Sequence, residues 1–158
     1  MEGGGALRRE YSVEMAGYRP LPDPDPVTEP FWVGVREHRL LVQTCATCGL
    51  RRHPPRVMCP RCQSLELRWD AVSGRGHVWS FVVCHAPLLP YFTARSPWPV
   101  SVIELEEGEG LRMVGQVMVA DVEPLAVAAP DRLRIGASVR VTFEHLDEIV
   151  LPQWRLVG

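Results

Sequence analysis

From residue 77 onward, apolar and polar positions alternate with a period of two. The segments 77–85 (HVWSFVVCH), 100–105, 111–118, 139–146 and 149–154 each carry that alternation and read as strands. Within the fourth, Val139, Val141 and Phe143 point one way while Arg140, Thr142 and Glu144 point the other, as in a half-buried antiparallel strand. Gly108, Glu109 and Gly110 suit a hairpin between the second and third strands. Residues 121–135, interrupted by Pro124 and Pro130, make a longer link to the fourth. Five short strands with a long connection after the third predict a five-stranded OB-type Greek-key barrel over residues 71–158.

Upstream the pattern is different. Residues 40–43 and 65–72 read as two strands that frame a cysteine-bearing loop. Before them, Thr28 is placed to cap a short helix whose first turn holds Glu29 and Pro30 and whose apolar residues are Phe31, Trp32 and Val35. Two large aromatics on so short a helix need cover, either from this chain's own ribbon or from a partner. Residues 1–27, with three consecutive glycines and a proline-rich run at 20–26, have the composition of a flexible arm. The predicted organisation is therefore mainly β: an arm (1–27), a helix and ribbon (28–70), then the barrel (71–158).

The loop carries the chemistry. Cys45 and Cys48 form one Cys-x-x-Cys knuckle (CATCG), and Cys59 and Cys62 form a second (CPRC). Four thiolates in two such pairs are the ligand set of a tetrahedral metal site, although the loop between them is shorter than usual. Gly49 stands where the first knuckle needs a left-handed residue, and Pro60 stiffens the second. Where a rubredoxin-like knuckle has a glycine after its second pair, this chain has Gln63. Structural zinc is preferred over rubredoxin-type iron, because a closed four-cysteine site leaves no position to activate water and a redox carrier has no need of a barrel. His53 reads as a surface residue of the loop and not as a competing ligand.

Composition narrows the function. The chain of 158 residues has a net charge of -2, and all of its 17 basic residues are arginine. That balance argues against a dedicated nucleic-acid binder, which is usually clearly basic. No apolar run approaches the length of a membrane span and the N-terminus lacks a signal-peptide core, so a cytoplasmic location is expected. No catalytic residue is assigned. Cys84 and His85 are neighbours on one strand, so their side chains face opposite ways, and Cys84 reads as a small buried hydrophobe. His77, Trp79, Phe81, Val83 and His85 would share a face, read as barrel wall. Gly74 and Gly76 open a strand and not a helix, which excludes a phosphate-binding loop. Glu104, Glu106, Glu107 and Glu109 read as a solvated cluster protecting a hairpin. Arg51, Arg52, Arg56 and Arg61 concentrate positive charge on the cysteine module, suited to phosphates or to acidic patches of a partner.

Together, Phe31, Trp32, the run LLVQTCATCG (40–49), Pro54, Pro55, Arg56, CPRC (59–62), Trp69 and SGRGHV (73–78) resemble a known family of small proteins. In that family a rubredoxin-like zinc ribbon precedes an OB-fold. VIELEEG (102–108), Ile135, Gly136, VRVTFE (139–144), Leu151 and Pro152 resemble its barrel strands in order. The resemblance implies a non-catalytic partner of a thiolase-superfamily enzyme acting on acyl-coenzyme A. Some relatives join thiolase to hydroxymethylglutaryl-CoA synthase in archaea. Others accompany lipid-transfer-protein-like, thiolase-fold aldolases that shorten steroid side chains in actinobacteria, where the module can be fused to a hot-dog-fold hydratase subunit. The all-arginine composition and LRMVG (111–115) favour the steroid branch: a hetero-oligomer with a thiolase-fold dimer performing retro-aldol cleavage, or an acyltransferase complex. Phe31, Trp32, Arg51, Arg52, Arg56 and Arg61 are the candidates for partner or CoA contact. The alternative is a single-stranded nucleic-acid-binding OB-fold using Trp79 and Phe81, which the acidic balance disfavours.

Overall fold

A computed structural model describes residues 19–118, 127–146 and 149–157. Its elements run α1 (Glu29–Arg36), β1 (Leu41–Cys45), β2 (Arg51–Arg52), β3 (Leu67–Ala71), β4 (Arg75–Cys84), α2 (Pro90–Thr93), β5 (Trp98–Leu105), β6 (Arg112–Gly115), β7 (Val117–Met118), β8 (Ser138–Leu146) and β9 (Ile149–Leu156). Strands β2, β1 and β3 form a small antiparallel sheet in that order. The remaining six are ordered β6-β5-β4-β8-β9-β7.

The second sheet curls because one segment serves both of its ends. β6 pairs antiparallel with β5, and after Gln116 the same chain continues as β7, parallel to β9. The Trp154 N–H donates to the Gln116 carbonyl at 2.8 Å, and the Gln116 N–H donates to Gln153 Oε1 at 3.0 Å. This is the OB-type arrangement that the alternation predicted, with each predicted strand found within two residues of its expected ends. At Gly76 β5 leaves no room for a side chain: a Cβ there would be 2.4 Å from the Glu104 carbonyl oxygen. The glycines of SGRGH thus serve strand packing.

Helix α1 begins differently from expectation. Thr28 makes no side-chain cap. Instead Asp25 Oδ1 accepts from the N–H groups of Val27 and Thr28 and from the Thr28 hydroxyl, at 2.7–2.9 Å. The reason is that Thr28 is already helical (φ -95°, ψ -16°), so the turn starts three residues earlier than its sequence signal. The Thr28 amide and hydroxyl hold the Asp25 carboxyl below its usual range. Of the predicted arm, residues 1–18 lie outside the described residues. Arg19 is packed down, its guanidinium 3.0 Å from both carboxylate oxygens of Glu144 on β8.

Ribbon and barrel share one core. Phe31, Val35, Leu40 and Val42 lie in the same buried cluster as Val78, Ile103, Met113, Val139 and Trp154. The Val72 N–H donates to the Leu40 carbonyl, and Arg51 Nη1 donates to the Glu107 carbonyl at 3.0 Å. The hairpin acids divide: Glu104 and Glu107 are half-buried, whereas Glu106 and Glu109 are exposed as expected. Glu107 Oε1 accepts the Ser73 N–H at 2.6 Å, Glu104 pairs with Arg112 at 2.6 Å, and Glu106 pairs with Arg75 at 2.9 Å.

Candidate metal centre and the adjoining cleft

β1 delivers Cys45 and β2 follows it out of the first knuckle, while the second knuckle lies between β2 and β3. The two knuckles repeat one backbone pattern. The Cys45 N–H donates to the Leu50 carbonyl and the Gly49 N–H to the Cys45 carbonyl. Correspondingly, the Cys59 N–H donates to Ser64 and the Gln63 N–H to Cys59. Gly49 (φ 71°) and Gln63 (φ 61°) occupy the same left-handed position. The glycine missing from the sequence motif is thus replaced by a glutamine that adopts the conformation anyway, at some cost.

All four Sγ atoms lie within 4.8 Å of one another. Cys45–Cys62 and Cys48–Cys59 are each 3.6 Å apart. Sulfurs about 2.3 Å from one ion in a tetrahedron are separated by roughly 3.8 Å, so the donor set fits a single tetrahedral ion. The electrostatics agree. The Cys48 N–H draws the Cys45 thiol down. Burial pushes the Cys59 thiol up, but the N–H groups of Cys62 and Arg61 outweigh it and bring it to about 6. At Cys62 the Ser64 N–H pulls the other way, yet burial and the three neighbouring sulfurs push it up to about 12. Without a cation among them, four thiols this close resist full ionisation.

His53 is not a surface residue. It is half-buried with its ring 5.0 Å from Phe31, and burial lowers its pKa to about 4. Of the four ribbon arginines, only three belong to the surface. Arg52 is 8% exposed, its Nε donating to Gln43 Oε1 at 2.6 Å and its Nη2 to the Arg56 carbonyl at 3.2 Å. It holds the loop together from inside. Arg51 is tied to Glu107 and lies near Asp70, whereas Arg56 and Arg61 are exposed. Phe31 is likewise buried, and Trp32 meets it edge-on at 5.0 Å while remaining partly exposed. The aromatic pair is thus split: Phe31 belongs to the core, while Trp32 packs against that core and stays partly exposed.

The supposed stripe on β4 does not exist. Val78 pairs with Ile103 and Ser80 with Val102, leaving Trp79 as an extra, bulged residue. The bulge reverses the alternation, so Trp79 is 44% exposed with the Arg112 guanidinium 3.7 Å over its ring, while Phe81 packs on the core. Trp79 and Phe81 cannot form one stacking platform for bases. Cys84 is half-buried, opposite Trp98, and not a core residue.

A cleft of about 480 Å³ lies between the ribbon and the barrel. Its walls include Trp32, His53, Pro54 and Pro55 from the ribbon side and Trp98, Val114 and Trp154 from the barrel, with Arg19 and Gln153 as polar groups. Trp98 and Arg19 escaped the sequence reading. Trp98 lies just outside the alternating segment, and Arg19 lies in a composition that signals only an arm.

Comparison with known proteins agrees with this architecture. Residues 32–68 match the family described as "ChsH2, rubredoxin-like zinc ribbon domain", and residues 69–144 match "ChsH2, C-terminal OB-fold domain". A DUF35 domain-containing scaffold protein of Methanocaldococcus jannaschii is 31% identical over 120 residues, covering 74% of this chain and 77% of that protein. The chain belongs to the DUF35 family. Among DUF35-type structures, a chain of an Ltp2-ChsH2(DUF35) aldolase superposes with a TM-score of 0.71 at 31% identity, covering 86% of this chain and 98% of that one. The 3-oxo-4,17-pregnadiene-20-carboxyl-CoA hydratase alpha subunit of Mycobacterium tuberculosis is 38% identical over 142 residues, covering 85% of this chain. The match spans 40% of that hydratase subunit's length.

Proposed function

We propose that this DUF35 chain is a non-catalytic partner subunit of a thiolase-superfamily acyl-CoA enzyme. The enzyme it fits best is a thiolase-fold aldolase that cleaves a steroid side-chain acyl-CoA by a retro-aldol reaction; an acyltransferase is the second candidate. The observation that carries the reading is the likeness to a chain of the Ltp2-ChsH2(DUF35) aldolase over 98% of that chain. Two further names point the same way, one a scaffold protein and one a CoA-ester hydratase subunit. In this role the four cysteines hold structural zinc, and all chemistry belongs to the thiolase-fold dimer.

The surface supports a protein interface. The knuckle segments expose Val57 and Leu65, at 63% and 67%, beside the arginines Arg56 and Arg61. Arginines are among the side chains that dominate interface energetics once desolvated, and a contact there would also cover the exposed apolar residues. Trp32, Arg51, Arg56 and Arg61 make the contact, while Phe31 and Arg52 support them from beneath.

Co-expression with a thiolase-fold aldolase subunit of the Ltp2 type, followed by size-exclusion chromatography, tests the reading. The two should elute together with one copy of this chain per protomer, and acyl-CoA turnover should need the thiolase-fold subunit. Trp32→Ala should weaken association by at least tenfold without lowering the zinc content. Turnover by the isolated chain, or two species that elute separately, would overturn the proposal.

A further inference from the structure

The cleft between ribbon and barrel takes no part in the metal centre, and its walls describe the kind of molecule that would fill it. Aromatic rings line it from both sides. On the ribbon side stand Trp32 and His53, each with its ring centroid 5.0 Å from that of Phe31. On the barrel side stands Trp98, braced by Phe92 at 5.2 Å and by Tyr91 at 6.3 Å. The buried Met113 and Trp154 also line it.

The polar groups in these walls are already matched, with one exception. Arg19 is held by Glu144 at 3.0 Å. Both ends of the Gln153 amide are engaged, Oε1 by the Gln116 N–H and Nε2 by Glu144. His53 is the exception: among the described residues its ring makes no hydrogen bond, and burial holds its pKa at about 4, so it is neutral near pH 7. The cleft therefore offers aromatic faces and a neutral imidazole, but no unmatched charge. A charged ligand would give up its hydration there without finding a counter-charge. A flat, rigid ring system stacks on aromatic walls and has few rotamers to lose, which favours it over a flexible chain. The volume of about 480 Å³ lies within the rough range of 300–1,000 Å³ usual for small-molecule sites.

We propose that this cleft binds a neutral molecule of flat fused rings with an oxygen at its rim, of the steroid class, with the His53 ring as hydrogen-bond partner of that oxygen. Trp32 belongs both to the cleft and to the surface given above to the partner subunit. A ring system held here would thus lie at the joint between the two subunits, a placement that rests on the partner-subunit reading; binding by the chain alone does not.

The test is equilibrium dialysis of radiolabelled progesterone against the metal-loaded full chain. Binding should be saturable and stoichiometric. Val100→Phe narrows the cleft from its barrel wall and Trp98→Leu removes an aromatic face; each should weaken binding about tenfold with metal content unchanged. His53→Phe keeps a ring but removes its nitrogens, and should weaken binding about fivefold. Trp79→Ala, outside the cleft, should leave it unchanged. Dodecanol, a neutral flexible chain, should not displace the steroid. Absence of saturable binding up to the solubility limit would overturn the site, as would binding that survives both Val100→Phe and Trp98→Leu. Displacement by dodecanol at equal concentration would overturn the flat-ring class. Steroid binding by a chain that fails to co-elute with a thiolase-fold subunit would leave the cleft standing while the partner reading falls, and co-elution without steroid binding would do the reverse.

Discussion

The two ends of the ribbon are built on different physics. At the barrel end, Phe31, Val35, Leu40 and Val42 are buried in a core continuous with the barrel, so apolar burial holds α1 and β1. At the knuckle end, Val57, Met58 and Leu65 are exposed, and only Arg52 and Cys59 are buried between residues 46 and 66. A segment that buries so little cannot offset its own chain entropy; it needs a staple. The lesson is that the metal organises the tip of the module, while its root belongs to the barrel.

The sharpest way to break this contrast is to remove a ligand. Cys59→Ser should release the metal and forfeit on the order of 10 kcal/mol of binding-coupled folding energy. Hydrogen exchange should then show residues 46–66 unprotected while β1, β3 and the barrel strands stay protected. Global unfolding would mean that the staple reaches the root as well.

The barrel answers to packing in the same way that the tip answers to metal. Gly76→Ala forces a Cβ against the Glu104 carbonyl of β5 and should cost about 2–3 kcal/mol, with metal content unchanged. Denaturant titration with parallel metal analysis measures both.

His53 lies where the two ends meet, and it makes the junction sensitive to acid. Its folded pKa is depressed to about 4 from 6.5. Above pH 6.5 both states are neutral and nothing is lost. Between 6.5 and 4 the unfolded chain takes up a proton that the folded one refuses, so stability falls as pH falls, by about 2–3 kcal/mol. His53→Leu should flatten that part of the acid limb relative to the parent protein. An unchanged pH profile of the denaturation midpoint would show that His53 titrates freely.

The smallest effect separates the two knuckles from each other. Gly49 and Gln63 hold equivalent left-handed positions, but only one is a glycine. Gly49→Ala should lower the midpoint of metal-loaded unfolding by about 1 kcal/mol, and Gln63→Gly should raise it by a similar amount. Equal responses of one sign would refute the equivalence.

The metal centre and the strands were legible because their signals are local. Two Cys-x-x-Cys pairs specify a ligand set within a few residues, and a period of two specifies a half-buried strand wherever it occurs. Burial of Phe31, His53 and Arg52 was not legible, since each depends on what another segment brings over it. An arginine in a basic loop looks like surface charge until Gln43 and the Arg56 carbonyl are found around it. The bulge at Trp79 is the clearest case. A strictly alternating strand puts Trp79 and Phe81 on one face, and one unpaired residue against β5 turns them to opposite faces. Pairing with a strand some 20 residues away made that choice. The cleft and the Arg19–Glu144 pair likewise join residues far apart in the chain, where no local pattern can announce them.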